Sequence, residues 1–386
     1  MAFSLNVSAD DLQLFNLPGK PTSPRFEIPD ILWPQAHGDV FVCLWEDDKV
    51  AAVSLGIDDN VKPDHSWWIS QLQPRGWNIT WFIIPDPRKH IGSSNSSVFG
   101  NWSDFIGLHN LGFDIQSHGK THGHVCDPAA PYYGDPNCMT NDPDGTFAEE
   151  YGEAVIMIDS NIPDSRVFTI AYSGININFE HDHSQAAKYY IAARTVGHGT
   201  PDPVNLIDYL GVGCASNLTI NNNTRWLDYM TTKTQGKEKY YRSWMNRMWH
   251  SSTTTTENEL EILDTYQDKL WVTSFTNAVM YNIEYTTHSL RNIQISSNEI
   301  RFSLSDTMND SVYTYPLTLK IRVNNDWTNA TVIQNSIQSP AKLVIGPDNN
   351  HYLLVKAVPD KGQVVVTKGN IPAAPVGLTV RRIEGM

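Results

Sequence analysis

Between about residues 50 and 280, short apolar runs alternate with segments of helical character, and after about residue 288 the alternation stops. That change of period constrains the fold more than any other feature. The runs KVAAVSLGI, NITWFIIP, FDIQS, RVFTIA, YYIAA, YYRSWMNRMW and KLWVTSF read as seven strands. Helical segments fall between them, among them residues 64–72 and 255–268, where a threonine followed by acidic residues marks a helix start. Strand, helix, strand repetition predicts an α/β parallel sheet, and seven strands suit a (β/α) barrel. Beyond residue 288 the strand-like runs NIQISS, EIRFSLS, YPLTLKIRV, ATVIQN, AKLVIG, YLLVKAV and QVVVTK follow one another with turn residues between. In PLTLKIRV, Leu317, Leu319, Ile321 and Val323 share one face and Thr318, Lys320 and Arg322 the other. That predicts a half-buried antiparallel strand, and the series predicts a β-sandwich. The expected division is residues 1–47 as an extension packing on the barrel, 48–288 as the barrel, and 289–370 as the sandwich. Residues 371–386, with PAAPVGLTV, read as a linker or the start of a further module.

The chain carries 28 basic against 42 acidic residues, a net charge of −14, and no basic block. This argues against nucleic acid and anionic membranes as partners and favours a neutral or weakly charged substrate. No run is long and apolar enough for membrane insertion, and the start shows no signal peptide. Four cysteines permit disulfides without demanding them; Cys126 and Cys138 flank a loop that a bridge could close. Eight Asn-x-Ser/Thr sequons decide nothing alone.

The polar residues that follow the strands carry the chemical argument. Asp58 and Asp59 follow AAVSLGI, His118 follows FDIQS, Tyr172 follows RVFTIA, Arg194 follows YYIAA, and His250 follows YYRSWMNRMW. Parallel strands open their C-terminal ends onto one rim, so these six positions converge there. His118 and His122 have the i, i+4 spacing that aims two imidazoles at one ion, on a helix or across a tight turn leaving a strand. Two imidazoles and a carboxylate form a common zinc set with coordination left open. The two aspartates are either a solvated cap of the helix beginning near Pro63, or one ligand and one proton acceptor. His118 and His122 read alternatively as surface histidines, and His250 as a strand-end histidine bonded to backbone. The cluster Glu180, His181, Asp182 and His183 reads as a solvated loop, Asp142 and Asp144 lack a full calcium series, and Trp67 and Trp68 read as core.

These residues resemble the motifs of the polysaccharide deacetylases, carbohydrate esterase family four. GIDDN resembles its Thr-Phe-Asp-Asp-Gly, HGKTH its His-x-x-x-His, GWNITWFIIP its strand ending Ala-Thr-Phe-Phe, and Met248-Trp249-His250 its late apolar-x-His motif. The resemblance covers about residues 48–282 and implies a distorted (β/α) barrel that removes acetyl groups from carbohydrate with a divalent metal. That metal would be Zn2+ first, with Co, Mn or Ni as alternatives. It implies Asp59, His118 and His122 as ligands, Asp58 as general base, His250 as general acid and the Tyr172 backbone N–H as an oxyanion donor. It also implies an acetylated carbohydrate as partner and a secreted, periplasmic or cell-surface location. The family's Arg-x-Pro-Tyr-Gly is reduced to TIAYSG, which leaves Arg194 as the candidate replacement for its arginine and Asp228 as a candidate to orient His250. Two other functions stay open: a glycan-binding pseudoenzyme, and a metal-dependent amidohydrolase acting on a non-sugar amide.

Overall fold

A computed structural model describes residues 15–86, 91, 96–122, 147–173, 179–195, 199–215 and 225–369. Cys126, Cys138, Asp142, Asp144 and the tail beyond residue 369 lie outside them. The chain divides into two compact units. The described residues of Met1–Asp30, Leu44–Thr286 and Met308–Tyr315 form one, and those of Ile31–Cys43, Thr287–Thr307 and Pro316–Met386 the other.

The first unit contains all seven expected strands: β2 (Ala51–Asp58), β3 (Thr80–Ile83), β4 (Asp114–Ser117), β5 (Thr169–Ala171), β6 (Ala192–Arg194), β7 (Trp244–Trp249) and β8 (Leu270–Ser274). All pair in parallel, in the order β6-β5-β4-β3-β2-β7. Every residue of β2 is buried, as a strand covered on both faces requires. One edge of β2 lies against β7; the other is shared, β8 running beside residues 51–55 and β3 beside 56–58. The circuit between β6 and β7 is completed by isolated bridges, Val212 to Arg194 and Ala215 to Arg247. The result is a distorted parallel barrel. Around it lie α1 (His65–Leu72), α2 (Ser96–Phe99), α3 (Trp102–Asn110), α4 (Glu153–Asn161), α5 (Phe179–Ala186), α6 (Arg225–Thr231), α7 (Thr254–Asp264) and α8 (Phe275–Thr287). Helix α7 starts where the threonines predict, with Thr253 and Thr256 exchanging side-chain to backbone hydrogen bonds at 3.2 Å in each direction. Trp68 is fully buried and Trp67 packs on the core, as expected. The segment read as a polar loop, Glu180 to His183, is instead part of α5.

Among the described residues the second unit is all β, with nine strands in two antiparallel sheets. One has the order β1-β11-β15-β14 and comprises Val40–Val42, Leu317–Val323, His351–Ala357 and Lys342–Ile345. The other, β13-β12-β16-β10-β9, comprises Ile337–Pro340, Ala330–Gln334, Gln363–Lys368, Glu299–Ser305 and Ser289–Ile295. Sequence reading missed β1 and β13. Residues 31–43 belong to this unit, where β1 pairs with β11, and not to an extension on the barrel. That pairing also changes β11, whose second face is not open to solvent. Lys320 is buried, donates to the Leu32 carbonyl at 2.9 Å and lies 3.7 Å from the Trp33 ring centroid. The ring face and the carbonyl together satisfy an ammonium whose stem stays dry.

Candidate metal centre and active site

Strand β2 ends at Asp58, and the chain leaves it through two residues in the left-handed region, Asp59 at φ 72° and Asn60 at φ 58°. Asparagine tolerates that conformation, and its side chain fixes the turn. Asn60 Nδ2 donates to the Ile84 carbonyl at 2.9 Å and Oδ1 accepts from the Ile84 N–H at 2.8 Å, so the amide pairs with the backbone just past β3. Asn60 stands where the motif that GIDDN resembles has glycine. The left-handed turn separates the aspartates: Asp58 points into the buried barrel, and Asp59 stands about one-third exposed at 34%.

Strand β4 ends at Ser117, and the next residues form a tight turn, not a helix. His118 is buried and its Nδ1 lies 2.8 Å from the Ala171 carbonyl at the end of β5. A carbonyl can only accept, so Nδ1 carries the proton and Nε2 faces the aspartates. Nε2 stands 3.5 Å from Asp59 Oδ1 and 3.7 Å from Asp58 Oδ2; His122 Nε2 is 3.4 Å from the same Asp59 oxygen. His250, just past β7, has its Nε2 3.5 Å from Asp59 Oδ2 and is mostly exposed. The strand ends thus bring Asp58, Asp59, His118, His122 and His250 together.

Arg194, at the end of β6, is fully buried and donates from Nη2 to Asp58 Oδ2 at 2.5 Å. Its guanidinium lies 5.2 Å from the Phe82 ring centroid. Phe82 in turn needs Gly56, where a Cβ would stand 3.2 Å from the ring. The glycine that departs from the family motif therefore makes room for the aromatic floor under the arginine. Cys214, on the bridging segment, also contacts the guanidinium; burial raises its thiol pKa against the opposing pull of Arg194.

Two expected roles are not met. The Tyr172 backbone N–H donates to the Arg194 carbonyl at 3.0 Å, extending the β5–β6 pairing, so it is not turned toward an oxyanion; its hydroxyl donates to Leu210 O at 3.0 Å. Asp228, the candidate to orient His250, is exposed on α6 and accepts from Tyr266 Oη at 2.6 Å. Sequence reading also missed Glu259, which accepts from Arg247 Nε at 2.9 Å and Trp249 Nε1 at 2.8 Å and so braces the strand that ends at His250.

The fit of a cation can be tested on this geometry. A neutral His118 has a lone pair on Nε2, which then faces carboxylate oxygens acceptor to acceptor; a proton or a metal ion is needed between them. Ligands at about 2.0–2.2 Å from a tetrahedral ion stand about 3.4 Å apart. Asp59 Oδ1 meets both imidazoles at 3.4–3.5 Å, and one atom from each of Asp59, His118 and His122 lies within 4.8 Å of the others. Asp58 Oδ1, buried, has no hydrogen-bond partner among the described residues. The donor set fits a divalent ion beside a separate carboxylate.

Without such an ion, protonation takes over. Burial would raise the Asp59 pKa, but the hydrogen bond and charge of His118, with the charges of His122 and His250, hold it down to about 2. Burial would lower that of His118, but Asp58 and then Asp59 hold it above its ordinary value. A raised folded-state pKa stabilises the fold fully below the unfolded value, 6.5, and that contribution is lost as pH rises through the folded value. The chain kept in chelator should therefore lose thermal stability as pH is raised from 6 upward, measured as Tm by circular dichroism. Replacing His118 with glutamine should flatten that slope.

Two imidazoles and a carboxylate around one point, with a buried second carboxylate beside it, make a donor set of the kind that holds a divalent ion with coordination left open. Among curated proteins, the chain is similar to a gellan lyase from a Bacillus species, 32% identical over 389 residues. That match covers 92% of this chain and 14% of the lyase, so the chain spans about a seventh of that relative's length. No protein-family model matches. Among solved structures, it is similar to a family 4 carbohydrate esterase from Streptomyces lividans in complex with acetate, at 14% identity and TM-score 0.37, covering 58% of this chain and 92% of that one. A family-four pseudoenzyme from Bacillus anthracis matches at 12% identity and TM-score 0.34, covering 60% of this chain and 66% of that one.

Proposed function

We propose that this chain is a divalent-metal-dependent carbohydrate deacetylase of the family-four type. The observation that carries the reading is the meeting of Asp59, His118 and His122 around one point, with Asp58 held beside it by Arg194. Asp59, His118 and His122 would hold the ion. The chemistry a divalent cation would supply there is Lewis acidity toward an acetyl carbonyl and toward water. Asp58, oriented by the bond from Arg194, takes the proton of the attacking water through its unbonded Oδ1. His250, exposed at the rim, gives a proton to the departing amine or alkoxide. Zinc is the ion the two-imidazole, one-carboxylate set favours. The likeness to a gellan lyase supports a polysaccharide substrate met outside the cell, and places gellan in any substrate panel beside acetylated oligosaccharides.

Acetate release from such a panel is expected in the presence of Zn2+ or Co2+ and to fall to background after chelation, returning when metal is restored. Activity indifferent to complete metal removal would overturn the reading. One observation favours a second reading, a glycan-binding domain without turnover: the Tyr172 N–H is committed to Arg194 and removes a donor the chemistry would use. Tight glycan binding by the metal-loaded chain with no acetate released from any panel member would favour it.

A further inference from the structure

We propose that Glu150 is the positioning residue that sets the two imidazoles at metal-binding separation, an inference that rests on the metal-site reading above. Glu150 lies in the π turn Ala148–Gly152 that leads into α4, and it is buried. Single π turns of this kind recur at functional sites. Both carboxylate oxygens accept from the Thr121 N–H at 3.1 Å, and Oε2 accepts from Thr121 Oγ1 at 2.9 Å. The Glu150 backbone carbonyl accepts from the Lys120 N–H at 2.9 Å. Of the three backbone N–H groups between His118 and His122, two are thus bound by this one residue; the third, of Gly119, donates to Ser117 Oγ at 3.1 Å.

The turn is built around that carboxylate. Gly119 sits at φ 77°, and a Cβ there would stand 2.4 Å from Glu150 Oε1, so only glycine lets the oxygen lie against the backbone. His122 then leaves the turn at φ 62°, in the left-handed region that few residues other than glycine, asparagine, aspartate and histidine enter readily. His118 has a second anchor in the Ala171 carbonyl and a third in its own N–H, which donates to Ile83 O at 2.9 Å. His122 follows directly on Thr121, so loss of the Glu150 anchor acts chiefly on the second imidazole. Charge-assisted bonds to a buried carboxylate are strong enough to fix such a turn.

The test is titration of Co2+ alone into the chelator-treated full chain, followed by visible absorption, with folding checked by circular dichroism. Glu150→Gln keeps the shape but removes the negative charge and replaces one of the two oxygens that accept from Thr121 with an N–H2 donor. It is expected to weaken Co2+ binding by about 10–100-fold, the usual effect of losing a group that orients a ligand. Thr121→Val, which removes only the hydroxyl bond, should shift affinity in the same direction by less. Glu153→Gln, altering the exposed partner of Lys120, should leave it unchanged. Wild-type affinity in a folded Glu150→Gln chain overturns the inference; if that variant does not fold, wild-type affinity in Thr121→Val overturns it. A wild-type chain that gives no Co2+ spectrum overturns the metal reading itself, and so separates the two failures.

Discussion

Replacing Asp58 with asparagine is expected to lower acetate release by about 10²–10⁴-fold, the range associated with losing a positioned proton acceptor. Asparagine keeps the size of the side chain and its contact with Arg194 but cannot take a proton from water. The three proposed ligand atoms are untouched, so Co2+ affinity should stay close to that of the wild type. A variant that loses activity and metal together would make Asp58 a ligand and not the base. Full activity in the variant would remove Asp58 from the chemistry altogether. The measurement is kcat at saturating metal on the best substrate, paired with a Co2+ titration.

Replacing Arg194 with methionine should have the largest effect on folding. Asp58 and Arg194 are both buried and share a bond at 2.5 Å, so the variant leaves a carboxylate in the barrel without its counter-charge. Breaking a buried pair from one side costs about 3–5 kcal/mol. For a unit of this size that corresponds to a Tm drop on the order of 10 °C. The double variant Asp58→Asn, Arg194→Met should recover part of the loss, because no unpaired charge remains; losses that simply add would show that the two side chains are not coupled. Activity should fall in the single Arg194 variant even well below its Tm, since nothing then fixes the direction of Asp58.

The sequence made much of this site readable because strand ends obey topology. Once KVAAVSLGI, FDIQS and YYRSWMNRMW are read as parallel strands, Asp58, His118 and His250 must share a rim, and the structure brings them there. What stayed hidden depends on contacts with no local signal. Glu150 reaches Thr121 across 29 residues, and no spacing rule links an acidic residue in AEEYG to a turn that far away. The commitment of the Tyr172 N–H follows from how far the β5–β6 pairing runs, which strand patterns do not fix to the residue. The burial of Lys320 was missed because alternation within one strand says nothing of what covers its polar face. Asn60 carried a usable clue: an asparagine two residues past a strand end is suited to a left-handed turn.

The two sides of the catalytic pocket are fastened by different means. His118 stands on a continuous ladder running through β2, β3 and β4, whereas Arg194 stands beside a seam made of single bridges at Val212 and Ala215. Substitutions along the bridging segment therefore act first on Arg194 and, through it, on Asp58, and reach the imidazoles only by way of the rest of the sheet.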